Sequence, residues 1–180
     1  MRIISGKYKG RHIPVLKNFP SRPTTDFAKE SIFNVINNHF SFEDLQVLDL
    51  FAGTGSMSYE FASRGAQVDL IEKDYRSIEF IRKTIRDLGL SSIHPYKTDV
   101  FRALSRLGKK YNIIFADPPY TLENIADIPV IVFDASLLAD QGWFILEHSD
   151  KYKFNENENF LELRKYGSVH FSIFSQGMQE

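Results

Sequence analysis

Short apolar runs alternate with segments of helical periodicity from Gln46 onward. Gln46 to Phe51, Gln67 to Glu72, Ile93 to Lys97, Tyr111 to Ala116 and Gly142 to Glu147 read as buried strands. Between the second and third runs, Tyr75 to Leu88 sets Ile78, Ile81, Ile85 and Leu88 on one face and ends against Gly89, which predicts a helix with a glycine stop. Strand alternating with helix predicts a parallel sheet with right-handed crossovers, hence a doubly wound α/β fold. The tail departs from this alternation. Leu161 to Arg164 and Val169 to Phe174 flank Lys165-Tyr166-Gly167-Ser168 and predict a closing antiparallel pair, while Asn155 to Asn159 reads as a solvated loop.

Ahead of this core the pattern differs. Arg2 to Ser5 and Arg11 to Val15 flank a segment with Gly6 and Gly10, which predicts a small hairpin. Pro20 and Pro23 interrupt it. Thr24 or Thr25 then serves as N-cap to a helix of about four turns carrying Ala28, Ile32, Ile36 and Phe40 at every fourth position. The expected organisation is one domain over residues 1–180, with a basic extension and helix over 1–40 and a cofactor-binding, catalytic core over 45–175.

Composition narrows the chemistry. With 180 residues, 43% hydrophobic and 25% charged, the chain has material for one sizeable core. It contains no cysteine, which excludes disulfides, thiolate metal sites and cysteine nucleophiles. No apolar run approaches the roughly 20 residues that span a bilayer, and the start Met1-Arg2-Ile3-Ile4-Ser5 is unlike a signal peptide, so a cytoplasmic location is expected. The net charge of −1 argues against a general nucleic-acid binder, but its distribution is uneven. Residues 1–25 hold six basic side chains (Arg2, Lys7, Lys9, Arg11, Lys17, Arg22) and no acidic one, leaving an excess of seven acidic groups beyond.

Three places carry candidate chemistry. In Leu48-Asp49-Leu50-Phe51-Ala52-Gly53-Thr54-Gly55 a strand runs into a glycine turn at the carboxyl edge of the sheet, where ligands reach the backbone. Ser58 stands at the third glycine position of the dinucleotide fingerprint, which is therefore incomplete. Glu72 closes the next strand 19 residues after Gly53, placed to accept the ribose hydroxyls of an adenosine. That spacing suits a nicotinamide dinucleotide and S-adenosylmethionine equally. Asp99, after the third strand, is either an adenine contact or a helix N-cap. The deciding segment is Asp117-Pro118-Pro119-Tyr120 after the fourth strand. Its two prolines remove amide donors and stiffen the backbone, so that Asp117 and the Pro118 carbonyl can accept from both N–H groups of an exocyclic amine. Tyr120 would stack on a base taken out of its helix.

In this order the segments resemble the S-adenosylmethionine-dependent amino methyltransferases, whose signature is Asp/Asn-Pro-Pro followed by an aromatic residue. The segments Arg2 to Arg11, Arg22 to Asp26, Glu30 to Asn34, Ser63-Arg64-Gly65-Ala66 and Lys165-Tyr166-Gly167 narrow the similarity to the bacterial 16S ribosomal RNA guanine-N2 methyltransferases that modify guanine 966 of the small subunit. The resemblance runs from Arg2 to about Phe174. It implies a Rossmann-like sheet that holds S-adenosylmethionine through Asp49, Phe51, Gly53, Gly55, Glu72 and Asp99. It also implies a guanine held by Asp117, Pro118, Pro119 and Tyr120, with Lys7, Lys9, Arg11, Arg22 and Thr24 contacting RNA. The implied partner is 16S rRNA in an assembled or partly assembled small subunit, met by a monomer that needs no metal. Two departures stand out: Ser58 where the family commonly has glycine, expected to affect helix packing more than chemistry, and a loosely family-like stretch from Asp127 to Ala139. The rival readings are an adenine-N6 methyltransferase, a nicotinamide-dependent oxidoreductase, which leaves Asp117 to Tyr120 without a role, and a non-catalytic RNA-binding protein.

Overall fold

A computed structural model of the chain describes residues 1–15 and 25–176. Lys17, Arg22 and Thr24 lie outside these residues. Seven strands, β1 (Gln46–Leu50), β2 (Gln67–Glu72), β3 (Ile93–Lys97), β4 (Tyr111–Ala116), β5 (Leu138–His148), β6 (Phe160–Tyr166) and β7 (Val169–Ser175), form one sheet in the order β3-β2-β1-β4-β5-β7-β6. The first five are parallel, and β7 pairs antiparallel with both β5 and β6, as the tail pattern predicts.

Helices α1 (Asp26–Asn37), α2 (Ser56–Ser63), α3 (Tyr75–Leu88), α4 (Val100–Leu104) and α5 (Ile128–Asp134) connect and cover the strands. Strand residues alternate between the two faces. Val47, Val68, Ile113 and Ile145 join one apolar layer with residues of α1, α2 and α3, whereas Leu48, Ile114, Phe144 and Leu146 join a second with residues of α4 and α5. No helix among the described residues is long and apolar enough to cross a membrane.

Local chemistry sets the helix ends. The Asp74 carboxylate accepts from Ser77 N, and Gly89 takes a left-handed φ of 67°, so α3 begins and ends where its cap and stop residues place it. Thr25 caps α1 by accepting from Ala28 N, but the helix stops at Asn37. Phe40 lies beyond it, its ring edge-on to Trp143 at 5.1 Å. β5 starts four residues earlier than expected. Its register against β4 shifts between Tyr111 and Ile113, and a Cβ on Gly142 would meet the Ala139 carbonyl oxygen at 2.8 Å, so this glycine sits inside an irregular strand rather than before it. The loosely patterned stretch from Asp127 contains α5.

The amino-terminal segment folds back antiparallel on itself, as expected: Arg2 bridges His12, Ile3 N donates to the Arg11 carbonyl at 3.1 Å and Ile13 N to the Met1 carbonyl at 2.9 Å. Several amides between these arms turn to α2. Ile4 N donates to Glu60 Oε1 at 2.8 Å, Lys7 N to the Ser63 carbonyl at 2.7 Å and Tyr8 N to Ser63 Oγ at 3.0 Å. Gly6 is required at this contact, since a Cβ there would fall 2.0 Å from the Ser63 carbonyl oxygen. Beneath it, Glu60 pairs with buried Lys29 at 3.4 Å and with Arg64.

Candidate active site

From β1 the chain proceeds to β2 and β3 on one side, and β4 and β5 lie on the other. The carboxyl ends of β1 and β4 therefore frame the crevice where open α/β sheets bind ligands. The turn after β1 opens with strained backbone: Phe51 adopts φ 60°, uncommon for a bulky residue, and Gly53 and Gly55 follow at 56° and 80°. Gly55 also yields space to the Tyr59 ring, which a Cβ would approach to 2.8 Å.

Glu72 reaches across this turn. Its Oε2 accepts from Gly53 N at 2.8 Å and its Oε1 from Asp74 N at 2.7 Å. It makes no ion pair with Lys73 among the described residues. Each carboxylate oxygen keeps a second lone pair for a hydroxyl group. Asp99 caps α4, its Oδ1 accepting from Phe101 N at 3.0 Å and Arg102 N at 3.3 Å. The cap turns Phe101 toward Phe51, with ring centroids 6.4 Å apart. Sequence reading missed Phe101, whose signal is an aromatic residue two positions after a strand-end acid.

Three carboxyl groups meet at the carboxyl edge. Asp49 is buried and its pKa is pushed up to about 7, chiefly by burial; the Ser58 hydroxyl, donating to Oδ2 at 2.5 Å, opposes the rise and the nearby charge of Glu72 adds to it. The Asp117 carboxyl is raised well above the usual carboxylate range by burial, and further by Glu147 and Asp49. Glu147, on β5 and buried, is the third member. Sequence reading did not single it out, although it ends the fifth apolar run much as Glu72 ends the second. Ser58, expected to affect helix packing more than chemistry, is the hydrogen-bond donor to Asp49.

In the turn after β4, Pro118 is buried and Tyr120 is 67% exposed. Leu122 N donates to the Pro119 carbonyl at 2.8 Å and closes the turn without engaging the Pro118 carbonyl. Lys7, Lys9 and Arg11 are exposed, with no ion pair among the described residues, on the segment fastened to α2.

The chain is 32% identical over 148 residues to the ribosomal RNA small subunit methyltransferase D of Escherichia coli (strain K12), covering 82% of this chain and 74% of the relative. It is 27% identical over 179 residues to the protein of the same name from Buchnera aphidicola subsp. Baizongia pistaciae (strain Bp), covering 97% and 91%. Among solved structures, a Thermus thermophilus 16S rRNA N2 methyltransferase in complex with AdoMet and guanosine superposes with a TM-score of 0.71 at 24% identity. That match covers 88% of this chain and 45% of the other, a likeness of fold. A family model described as conserved hypothetical protein 95 matches residues 1–175, and the chain belongs to that family.

Proposed function

We propose that the protein is an S-adenosylmethionine-dependent methyltransferase acting on the exocyclic N2 of a guanine, position 966 of 16S rRNA. The single observation that carries the reading is the facing of a nucleoside-holding turn, Gly53 with Glu72, and a rigid acceptor turn, Asp117 to Tyr120, across one crevice. Its relatives named as small-subunit rRNA methyltransferases support the substrate class.

The residues fit the cofactor. Glu72 offers acceptors for ribose hydroxyls, Phe51 and Phe101 offer ring edges and faces for the adenine, and Asp49 is a buried carboxyl whose ionisation a cation beside it would favour. When bound, S-adenosylmethionine supplies an electrophilic methyl group on a sulfonium. Asp117 and the Pro118 carbonyl orient the amine, and Tyr120 stacks on the base. Burial and the nearby Glu147 and Asp49 raise the pKa of Asp117, which makes it a stronger proton acceptor than an ordinary aspartate for the proton shed by the amine. Lys7, Lys9 and Arg11 contact phosphate.

Labelled methyl transfer to small subunits lacking the modification, followed by nucleoside analysis, tests the reading. N2-methylguanosine at position 966 is expected. N6-methyladenosine, or cofactor binding without transfer to any RNA, overturns it.

A further inference from the structure

On the far side of β5 from the crevice lies a second concavity. After His148 the chain enters the loop 149–159 and returns directly as β6 without an intervening helix, while α1 meets β6 through Phe27, edge-on to Tyr166 at 5.9 Å. A cavity of about 470 Å³ opens there, lined by His148, Tyr152, Phe154 and His170, with Lys153 and Lys165 among its polar groups and Asp150 as its one acid. Its size falls within the range of ligand pockets.

The lining has a fixed floor. His148 Nε2 lies 2.7 Å from Ser172 Oγ and Nδ1 lies 2.8 Å from the Ser149 carbonyl, so both ring nitrogens are occupied. Burial lowers the pKa of this imidazole, which keeps it neutral. Tyr152 and Phe154 lie nearly parallel, 17° apart, and Phe154 packs edge-on to His148 at 5.0 Å. Tyr152 is half-buried, leaving part of its ring open to a planar ligand, while Lys153 and Lys165 are exposed and have no ion pair among the described residues.

Aromatic faces beside uncompensated lysines are the combination that binds single-stranded nucleic acid, through stacking and phosphate attraction. The position matters as much as the chemistry. β5 is the immediate neighbour of β4 in the sheet, and His148 follows Glu147, the residue that acts on Asp117. Adjacent strands are about 4.8 Å apart, so the cavity lies one to three strand spacings from the Asp117 to Tyr120 turn. Against the excess of acidic groups beyond residue 25, these lysines also form a local attraction for phosphate beside the cavity.

We infer that this cavity receives one nucleotide of the single-stranded RNA flanking the methylated base, its base on Tyr152 and its phosphate between Lys153 and Lys165. The inference rests on the RNA substrate argued above, and its test separates the two. Dissociation constants are measured for a single-stranded hexaribonucleotide carrying 2-aminopurine, alongside KM and kcat on unmodified small subunits. Tyr152→Ala weakens hexamer binding about tenfold, a loss typical of one base stack. Lys153→Ala with Lys165→Ala lowers the salt slope by about 1.4, from roughly 0.7 per contact. Both variants raise KM on subunits and leave kcat and cofactor affinity unchanged. The lysine pair is exposed, so that variant reports even where Tyr152→Ala lowers folding yield. Wild-type values of hexamer binding, slope and KM in both variants overturn the inference. So does unchanged hexamer binding with a raised KM on subunits, which assigns the cavity to a ribosomal protein. Failure of methylation on every RNA, with hexamer binding still sensitive to Tyr152→Ala, overturns the methyltransferase reading and leaves the cavity standing.

Discussion

On the proposed assignment of Asp49 to the cofactor site, cofactor binding should be linked to a proton on Asp49. With its pKa pushed up from 3.8 to about 7, the buried carboxyl is largely protonated at pH 6 and ionised at pH 8. A cationic ligand beside it favours the ionised form, so binding below pH 7 releases a proton. Affinity for S-adenosylmethionine should then rise up to tenfold per pH unit between about pH 5.5 and 7, and level off above. Ser58 sets the midpoint: a hydrogen bond to a charged group contributes about 1.5–3 kcal/mol, so Ser58→Ala moves the midpoint up by roughly one to two pH units. Calorimetry at each pH, in buffers of different ionisation enthalpy, counts the protons released directly. Asp49→Asn should abolish the release and flatten the profile, which distinguishes Asp49 from the ligand's own amino group, titrating near pH 8. The linkage has a folding counterpart. Because the native pKa lies above the unfolded value, Asp49 contributes stability that is full below pH 4 and lost as pH rises to about 7, about 4 kcal/mol in all for a fully buried group. An affinity profile that is flat from pH 5.5 to 7 in the native protein, or unchanged in Ser58→Ala, refutes the reasoning.

Glu72→Ala should weaken cofactor binding by about 1.5–3 kcal/mol per lost ribose bond, and Glu72→Gln should retain part of it because one oxygen still serves Gly53 N; calorimetry on both checks this. The acid limb of kcat should lie above the range of an ordinary aspartate, and Glu147→Gln should move it to lower pH by removing the charge that raises Asp117, as a pH–rate profile will report. Replacing Lys7, Lys9 and Arg11 together should lower the salt slope of RNA binding by about 2 with the melting temperature unchanged. Glu60→Ala, which removes the buried partner of Lys29 and leaves it only the half-exposed Asp26 at 3.7 Å, should cost about 3 kcal/mol of stability measured by denaturant unfolding.

The parts of the fold legible in the sequence were those whose pattern is local. α3 has one apolar stripe, an Asp cap and a Gly stop, and its limits fall where those residues predict. α2 has no stripe to read, because all eight of its residues are buried: Ser58, Glu60 and Ser63 face partners from β1, the amino-terminal segment and α1 rather than water. Buried polar residues with partners look like surface residues until the partners are known. The same holds at the site. Gly53 and Glu72 were legible because their spacing follows from a strand, a helix and a strand, whereas Glu147 meets Asp117 only through the side-by-side packing of β4 and β5. The amino-terminal segment reads from sequence as a basic hairpin. Its buried Ile3 and Ile13 show that it also covers the core, doing so while it presents its lysines.

The placement of β7 between β5 and β6 has a consequence for how the chain is made. Synthesis delivers β6 before the strand that must separate it from β5, so residues 160–166 have no sheet partner until residues 169–175 follow. Phe171 and Ile173 complete one apolar layer and Phe174 the other, so neither face closes before β7 has left the ribosome. Domains usually fold as units, amino-terminal parts first during translation. Here the cooperative unit waits for its final strand, and a nascent chain stalled before residue 169 should remain open to protease along its whole length.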